Sequence, residues 1–484
     1  MAVEAGQSKG SVKTELRENA VGLPGMLMQG IATIAPSFAI LASFVFIVTY
    51  AGLVTPWAFL FGGALLMLQA LSAAQLAKVF PSAGGWYTWI ARALHPRAGF
   101  FAGVLFSIWL PPVGALTLSL LAKTVLEPSI KAEYGVTIPW WIWVVAGLAL
   151  VIYFAYNGIV ISERALIITG TVEIVIMVAL AFTGLASPGS GGFTFAPLNP
   201  GNFGLAGNLF LGVVFSIFAF SGWESTGPLA EESKNPKRNV PIGLVGSVIV
   251  LMIYFVFVTW GYLVGIGVKT PIATITNPNA AFPVATLAQR VWSGAWVLLL
   301  FALLNSAIAV SIACFNGGTR TWYAMGRSGA LPAALGKVNP NRKTPDNAIH
   351  LEVGMQVVAF VCILIFGVTN VFFSWANAIT IGLVLMYILA NVGVVKYYLT
   401  EGRSQFSPLL HLIIPAVASA AGVVVVWKSY FSPFTSSGPV FWGLMVFIAV
   451  LALTVIVLVY LRARGQEDWM RKAQLVFEQS GGGH

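Results

Sequence analysis

Two carboxyl groups stand where the surrounding sequence calls for hydrocarbon. Glu173 lies in "ITGTVEIVIMVAL" and Glu224 in "FAFSGWESTGPLAEESKNPKRNVP", which runs from Phe218 to Pro241. A charged side chain near a bilayer centre costs about 2.5–3.5 kcal/mol on insertion scales. Removing a carboxylate from water favours its neutral form, so such a group can take up and release a proton as its surroundings open and close. Glu173 has Thr169, Gly170 and Met177 at helical spacing and no basic partner, which reads as a proton site. The structural alternative is a permanently neutral acid bonded to a backbone carbonyl. Glu224 allows two readings, a proton sensor or an acceptor for the amides of an unwound segment.

No HExxH, GxSxG or GxxxxGK[ST] pattern occurs, so the sequence makes no case for an enzyme. His95, His350, His411 and His484 sit in or near expected loops and span ends, and Cys314 and Cys362 lie in apolar runs. The cysteines read as packing residues, and no metal or cofactor is expected.

The elements that carry the acids are interrupted. "GLPGMLMQGIATIAPSFAILASF" is apolar until Thr33-Ile34-Ala35-Pro36-Ser37, where Pro36 lacks an amide hydrogen and clashes with the preceding turn. The matching interruption is Ala219-Phe220-Ser221-Gly222, followed by Gly227-Pro228. Unpaired backbone is tolerated in lipid only where it lines a protein cavity. Two interrupted helices five spans apart indicate inverted repeats of five helices and are the best sequence pointer to a transporter's substrate site. The amides after each break suit a carboxylate, and the freed carbonyls suit an ammonium or a cation.

The whole chain supports a membrane setting. Of 484 residues, 58% are hydrophobic and only 9% are charged, against about a quarter charged in soluble domains. Twelve spans of roughly the required 20 residues are expected: Gly22–Tyr50, Pro56–Val79, Gly99–Leu121, Pro139–Tyr156, Ala165–Leu185, Leu205–Leu229, Ile242–Val264, Trp292–Tyr323, Leu351–Val368, Phe372–Tyr398, Leu409–Trp427 and Val440–Leu461. With the N-terminus inside, the outer segments hold only Lys123, Lys131, Lys269, Arg290 and Lys428 of the 26 Lys and Arg residues. That bias places both termini in the cytoplasm. It also accounts for the net charge of +10 without a nucleic-acid partner. Residues 1–20 carry mixed charges and no apolar core, so they read as a cytoplasmic tail rather than a signal peptide. The core is expected over 21–400, two further helices over 401–463 and a second tail over 464–484, in which "DWMRKAQLVFEQS" has the character of a basic amphipathic segment.

"FSGWESTGPLAEESKNPKRNVP" resembles the sixth-helix signature of the amino acid–polyamine–organocation (APC) transporters. "TRTWYAMGRSGALPAALGKVNPNRKTPDNAI", "FPSAGGWYTWIARAL" and "NGIVISERALIITGTVE" are similar to their eighth helix and its inner loop, their second inner loop, and their fifth helix. The resemblance implies an all-α polytopic protein of the LeuT type. Helices 1–5 and 6–10 would form inverted repeats, with two peripheral helices added. It also implies alternating access and uptake or exchange of an amino acid or amine as the small-molecule partner, in the cell membrane among its lipids. The buried acids point to a proton rather than Na⁺ as coupling ion; the alternatives are the same fold carrying another organic solute or an inorganic cation, or an exchanger without proton coupling. It gives Phe218 the place of the aromatic lid and Ala219–Gly222 that of the carbonyls facing a substrate amine. Glu224 takes the place of an acid linked to substrate response or proton sensing. Many members carry a lysine at the Glu173 position, and their Gly-Ser-Gly run at the first break holds the substrate carboxylate. Here the lysine is an acid and the run is Ile34-Ala35-Pro36-Ser37. The departure leaves room for an amine, a γ-amino acid or an amino alcohol.

Three further features carry expectations. The charges of Glu231, Glu232, Lys234, Lys237 and Arg238 are placed for an inner gate, but exposed pairs contribute only about 0–1 kcal/mol each, so a gate needs a network. The outer segment Thr270–Trp292 reads as a short helical cap. Pro111-Pro112 should kink the third span.

Overall fold

The structure is a computed structural model that describes residues 15–277, 282–428 and 438–463. The amphipathic reading of Asp468–Ser480 falls outside the described residues. Helices α1 (Leu23–Ile34) and α2 (Pro36–Ala51) meet at Ala35, in left-handed conformation at φ 57° and ψ 73°. The sequence dictates this joint. Pro36 cannot continue α1, pushes the residue before it out of the helical region, and suits the first position of a new helix, where its missing N–H leaves no bond unmade.

α3 (Thr55–Val79), α4 (Trp86–Ala93) and α5 (Pro96–Trp109) follow; Pro111-Pro112 then separates α5 from α6 (Val113–Leu121), as the expected kink. Next come α7 (Glu127–Tyr134), α8 (Trp140–Asn157), α9 (Ile159–Ala186) and α10 (Leu209–Ala219). After α10 the chain leaves α-helical geometry at Phe220–Gly222 and resumes as a 3₁₀ helix, Trp223–Glu232. α11 (Pro236–Ile266), the short α12 (Ile272–Ile275) and α13 (Pro283–Trp292), α14 (Val297–Arg327), α15 (Asp346–Phe366), α16 (Val368–Leu399), α17 (Ile414–Val426) and α18 (Gly438–Ala463) complete the order. The described residues contain no β-strand. Among the described residues, eleven helical stretches are long and apolar enough to cross a membrane, where twelve spans were expected. The first stretch, Leu23–Val79, runs 57 residues through the turn at Gly52–Val54 and takes in both of the first two expected spans. The chain is a multi-pass, all-helical membrane protein.

Burial separates the core from the perimeter. The most apolar window of Pro96–Tyr134 is 89% buried, whereas that of α18 is 17% buried and that of Leu409–Val426 22%. The last two helices therefore turn their Val, Ile and Leu residues outward, as helices facing lipid do. Inside, α1 packs against α9, α11, α14 and the 3₁₀ segment, and α10 packs against α2 and α3. Both broken elements thus lie within the bundle.

α9, which carries Glu173, crosses α11 at a seam of small residues. A Cβ added at Gly184 would lie 2.7 Å from Gly261 O, and one at Gly261 would lie 2.7 Å from Ala181 O. Without a hydrophobic drive between helices in lipid, such close backbone approach supplies the contact. Gly261→Val should therefore lower the unfolding temperature in detergent by an amount matching about 1–3 kcal/mol of overpacking. Gly354→Val on exposed α15, where nothing lies within 4 Å of the new Cβ, should cause little change.

Candidate functional site

The two breaks touch. Gly222 has φ 130°, and a Cβ there would stand 2.5 Å from the Thr33 carbonyl oxygen and 2.6 Å from its carbon. Only glycine permits both the conformation and the approach. Around the contact lies a cavity of about 100 Å³. By the same measure a water molecule needs about 10–15 Å³, so the space suits a small organic solute. Its wall takes Thr33, Ile34 and Ala35 from the first break and Phe218, Ala219, Ser221, Gly222 and Glu224 from the second. Leu110, Val113, Leu116 and Thr117 come from the kinked α5–α6 region. Val310 and Cys314 of α14, and Phe372, Trp375 and Ile379 of α16, close the ring.

Three of the residues expected to bind the solute are not on this wall. Phe220 points into the scaffold, its ring centroid 5.0 Å from Phe255 and 6.3 Å from Phe59. Pro36 and Ser37 belong to the joint behind the wall, and there the amides expected to face a ligand are already engaged. The Ser37 N–H donates to Glu173 Oε1 at 3.0 Å and the Phe38 N–H donates to Ser306 Oγ at 3.1 Å. Glu173 Oε2 accepts from Asn305 Nδ2 at 2.8 Å, and the same amide group donates to Thr169 O at 3.2 Å. Glu173 is buried and lies off the cavity wall; it caps the positive end of α2 while joined to α14. Its bond is with a backbone amide, not with the backbone carbonyl of the structural alternative. The second break is capped in the same way: the Gly222 N–H donates to Glu224 Oε2 at 2.6 Å. Glu224 Oε1 is buried without a hydrogen-bond partner, on a residue that lines the cavity.

Below the breaks, towards the face rich in Lys and Arg, the bundle is closed by a polar chain and aromatic rings. Thr33 Oγ1 and Ser225 Oγ lie 2.5 Å apart, and Gln29 Nε2 donates to Ser225 Oγ at 3.1 Å and to Ala313 O at 2.8 Å. Asn316 Nδ2 reaches Gln29 Oε1 at 3.5 Å, and Arg320 Nη1 reaches Asn316 Oδ1 at 3.5 Å. Arg320 then holds Glu232 through Nε–Oε2 at 2.8 Å and Nη2–Oε1 at 3.2 Å, both residues nearly fully buried. Trp223 stacks on Tyr387 with centroids 5.6 Å apart, and Trp86 donates from Nε1 to Glu224 O at 3.1 Å. Glu231 accepts from Arg327 Nη1 at 2.9 Å and from the Ala83 N–H at 2.9 Å. Of the charges placed for an inner gate, Glu231 and Glu232 are thus held in ion pairs, while Lys234, Lys237 and Arg238 are exposed.

The sequence reading confined buried acids to Glu173 and Glu224. The structure adds Glu163 (4% exposed), Glu232 (1%) and Glu352 (0%), the first and last with both oxygens unpartnered. These acids stand near span ends, but the bundle extends past them. The polar residues inside apolar runs, Gln29, Asn305, Asn316 and Arg320, were the available signal, because such residues in a membrane helix face partners rather than lipid.

This arrangement can be set beside known proteins. The family description "Amino acid permease" matches residues 25–473. The chain belongs to the amino acid permease family. Relatives in this family include the low-affinity putrescine importer PlaP of Escherichia coli K12, 24% identical over 404 residues, covering 81% of this chain and 84% of the importer. The branched-chain amino acid permease BcaP of Lactococcus lactis is 25% identical over 381 residues, covering 74% of this chain and 78% of that permease. The glutamate/serine transporter AimA of Bacillus subtilis is 24% identical over 426 residues, with 81% and 73% covered. Membership agrees with the resemblance that the sequence carried.

Two outcomes follow from this permease geometry. Gly222→Ala should abolish ligand-induced thermal stabilisation in a screen of amino acids and amines while the protein still folds, because the new Cβ meets the Thr33 carbonyl; Gly204→Ala, with open space around it, should retain the shift. Arg320→Met, which leaves Glu232 buried and unpaired, should cost about 3–5 kcal/mol in thermal unfolding, and Arg320→Met with Glu232→Met should recover most of that loss.

Proposed function

We propose that this chain is a secondary active transporter that moves an amino acid or a related amine across the cell membrane by alternating access, driven by protons. The observation that carries the reading is the meeting of two broken helices at one small cavity, closed beneath by Arg320–Glu232, Arg327–Glu231 and the Trp86–Trp223–Tyr387 cluster. A solute held there is shut off from the basic face. The excess of Lys and Arg on that face supports a cytoplasmic location for it and for both termini. The printed activities of the relatives, putrescine import and amino acid transport, support a small amino or amine solute.

The proton is assigned to Glu173, with Glu224 meeting the solute at the cavity wall. Glu173 joins three moving parts: α9, the start of α2 and α14. Hydrogen bonds to an ionised acceptor are about twice as strong as those to a neutral one. Protonation therefore loosens α2 from α9 and α14, and deprotonation tightens the joint. This links proton occupancy to the position of the half-helix that walls the cavity.

Reconstitution into proteoliposomes tests the reading. Counterflow across a panel of amino acids, γ-aminobutyrate, ethanolamine and polyamines should identify a solute, and an imposed pH gradient should accelerate its net uptake. Glu173→Gln should lower the gradient-driven rate about tenfold, the factor that 1.4 kcal/mol represents, while counterflow persists. Transport that ignores the gradient and is unchanged in Glu173→Gln would remove the proton role.

A further inference from the structure

An α-amino acid brings a carboxylate to its site as well as an ammonium, and a carboxylate needs donors. The cavity wall has almost none free. No Lys, Arg or His lines it among the described residues. Pro36 has no N–H, the Ser37 N–H is held by Glu173, the Phe38 N–H by Ser306, and the Gly222 N–H by Glu224. These assignments do not depend on the protonation state of either acid, since a neutral carboxyl group still accepts through its carbonyl oxygen.

The hydroxyls on the wall are committed as well. Thr33 Oγ1 donates to Gln29 O at 2.7 Å, Thr117 Oγ1 to Val113 O at 2.8 Å and Ser221 Oγ to Ile217 O at 3.4 Å. Trp375 Nε1 points to Trp109 O at 3.3 Å. Among the side chains of the wall, the carboxyl group of Glu224 keeps an oxygen without a hydrogen-bond partner, Oε1, and most of the others are apolar, Leu110, Val113, Leu116 and Phe372 among them. A carboxylate in that space would be desolvated without partners, at a cost of several kcal/mol. An ammonium would meet Glu224, and an alkyl body would meet the apolar wall.

We propose that the solute is an organic monocation without a carboxylate, a primary amine with an apolar body. A single acid on the wall suits one ammonium and not two. The proposal rests on the transporter reading above and narrows its substrate class.

Matched pairs that differ only by the carboxylate test it: isopentylamine against leucine and phenethylamine against phenylalanine, with putrescine as the diamine. Affinities come from thermal shift and from counterflow with the full chain. Each monoamine should bind at least tenfold more tightly than its amino acid and more tightly than putrescine. Glu224→Gln should lose the amine. Leucine or phenylalanine bound as well as its amine would overturn the inference while leaving the transporter reading intact. Putrescine preferred over isopentylamine would overturn the monocation. Absence of binding and counterflow for every compound, in this set and in the wider panel, would overturn both readings.

Discussion

The bond on which the rest depends joins the Ser37 N–H to Glu173 Oε1. Breaking a helix in the middle of a membrane exposes amides that neither lipid nor water can satisfy. The chain breaks its first span at Ala35 and must answer for the first turn of α2. It does so from outside that helix, with Glu173 from α9 and Ser306 from α14. The break can therefore exist only while α9 and α14 stand beside it, and the small-residue seam at Gly184 and Gly261 holds α9 in place. The acid is costly where it sits, and so is the break. Each offsets the other.

The fold was largely legible because its signals are strong. Apolar stretches of membrane length are hard to mistake, and Pro36, Gly222 and Pro111-Pro112 mark their own interruptions through missing amides and permitted angles. The site was legible in part. That two breaks would meet followed from their corresponding positions. Which way each side chain turned did not, because apolar spans have little amphipathic contrast: Phe220 and Phe218 are two residues apart and equally apolar, yet one packs into the scaffold and the other lines the cavity. The wall supplied by α16 and the kinked α5–α6 region has no local signature. It depends on packing between elements that are distant in the chain.

The acids near the basic face show a different limit. Glu163, Glu232 and Glu352 read as span-end residues, where charge is ordinarily solvated. The helices continue past them, and the three are drawn into the interior with Arg320. A buried ion pair adds little to stability when set against an apolar replacement, but it is intolerant of losing one partner. That intolerance suits a closure that must be either fully made or fully open.

Further bonds tie the two broken elements to each other. The Ala20 and Val21 N–H groups donate to Glu232 O, and the Lys234 N–H donates to Val21 O. Higher up, Thr33 and Gln29 meet Ser225. α1 and the 3₁₀ segment are thus pinned together at both ends, like two boards fastened top and bottom. Neither can swing without carrying the other, and the places left to bend are Ala35 and Gly222, the two residues beside the cavity whose φ is positive. The cavity therefore lies at the upper end of this fastened pair, against both of its joints.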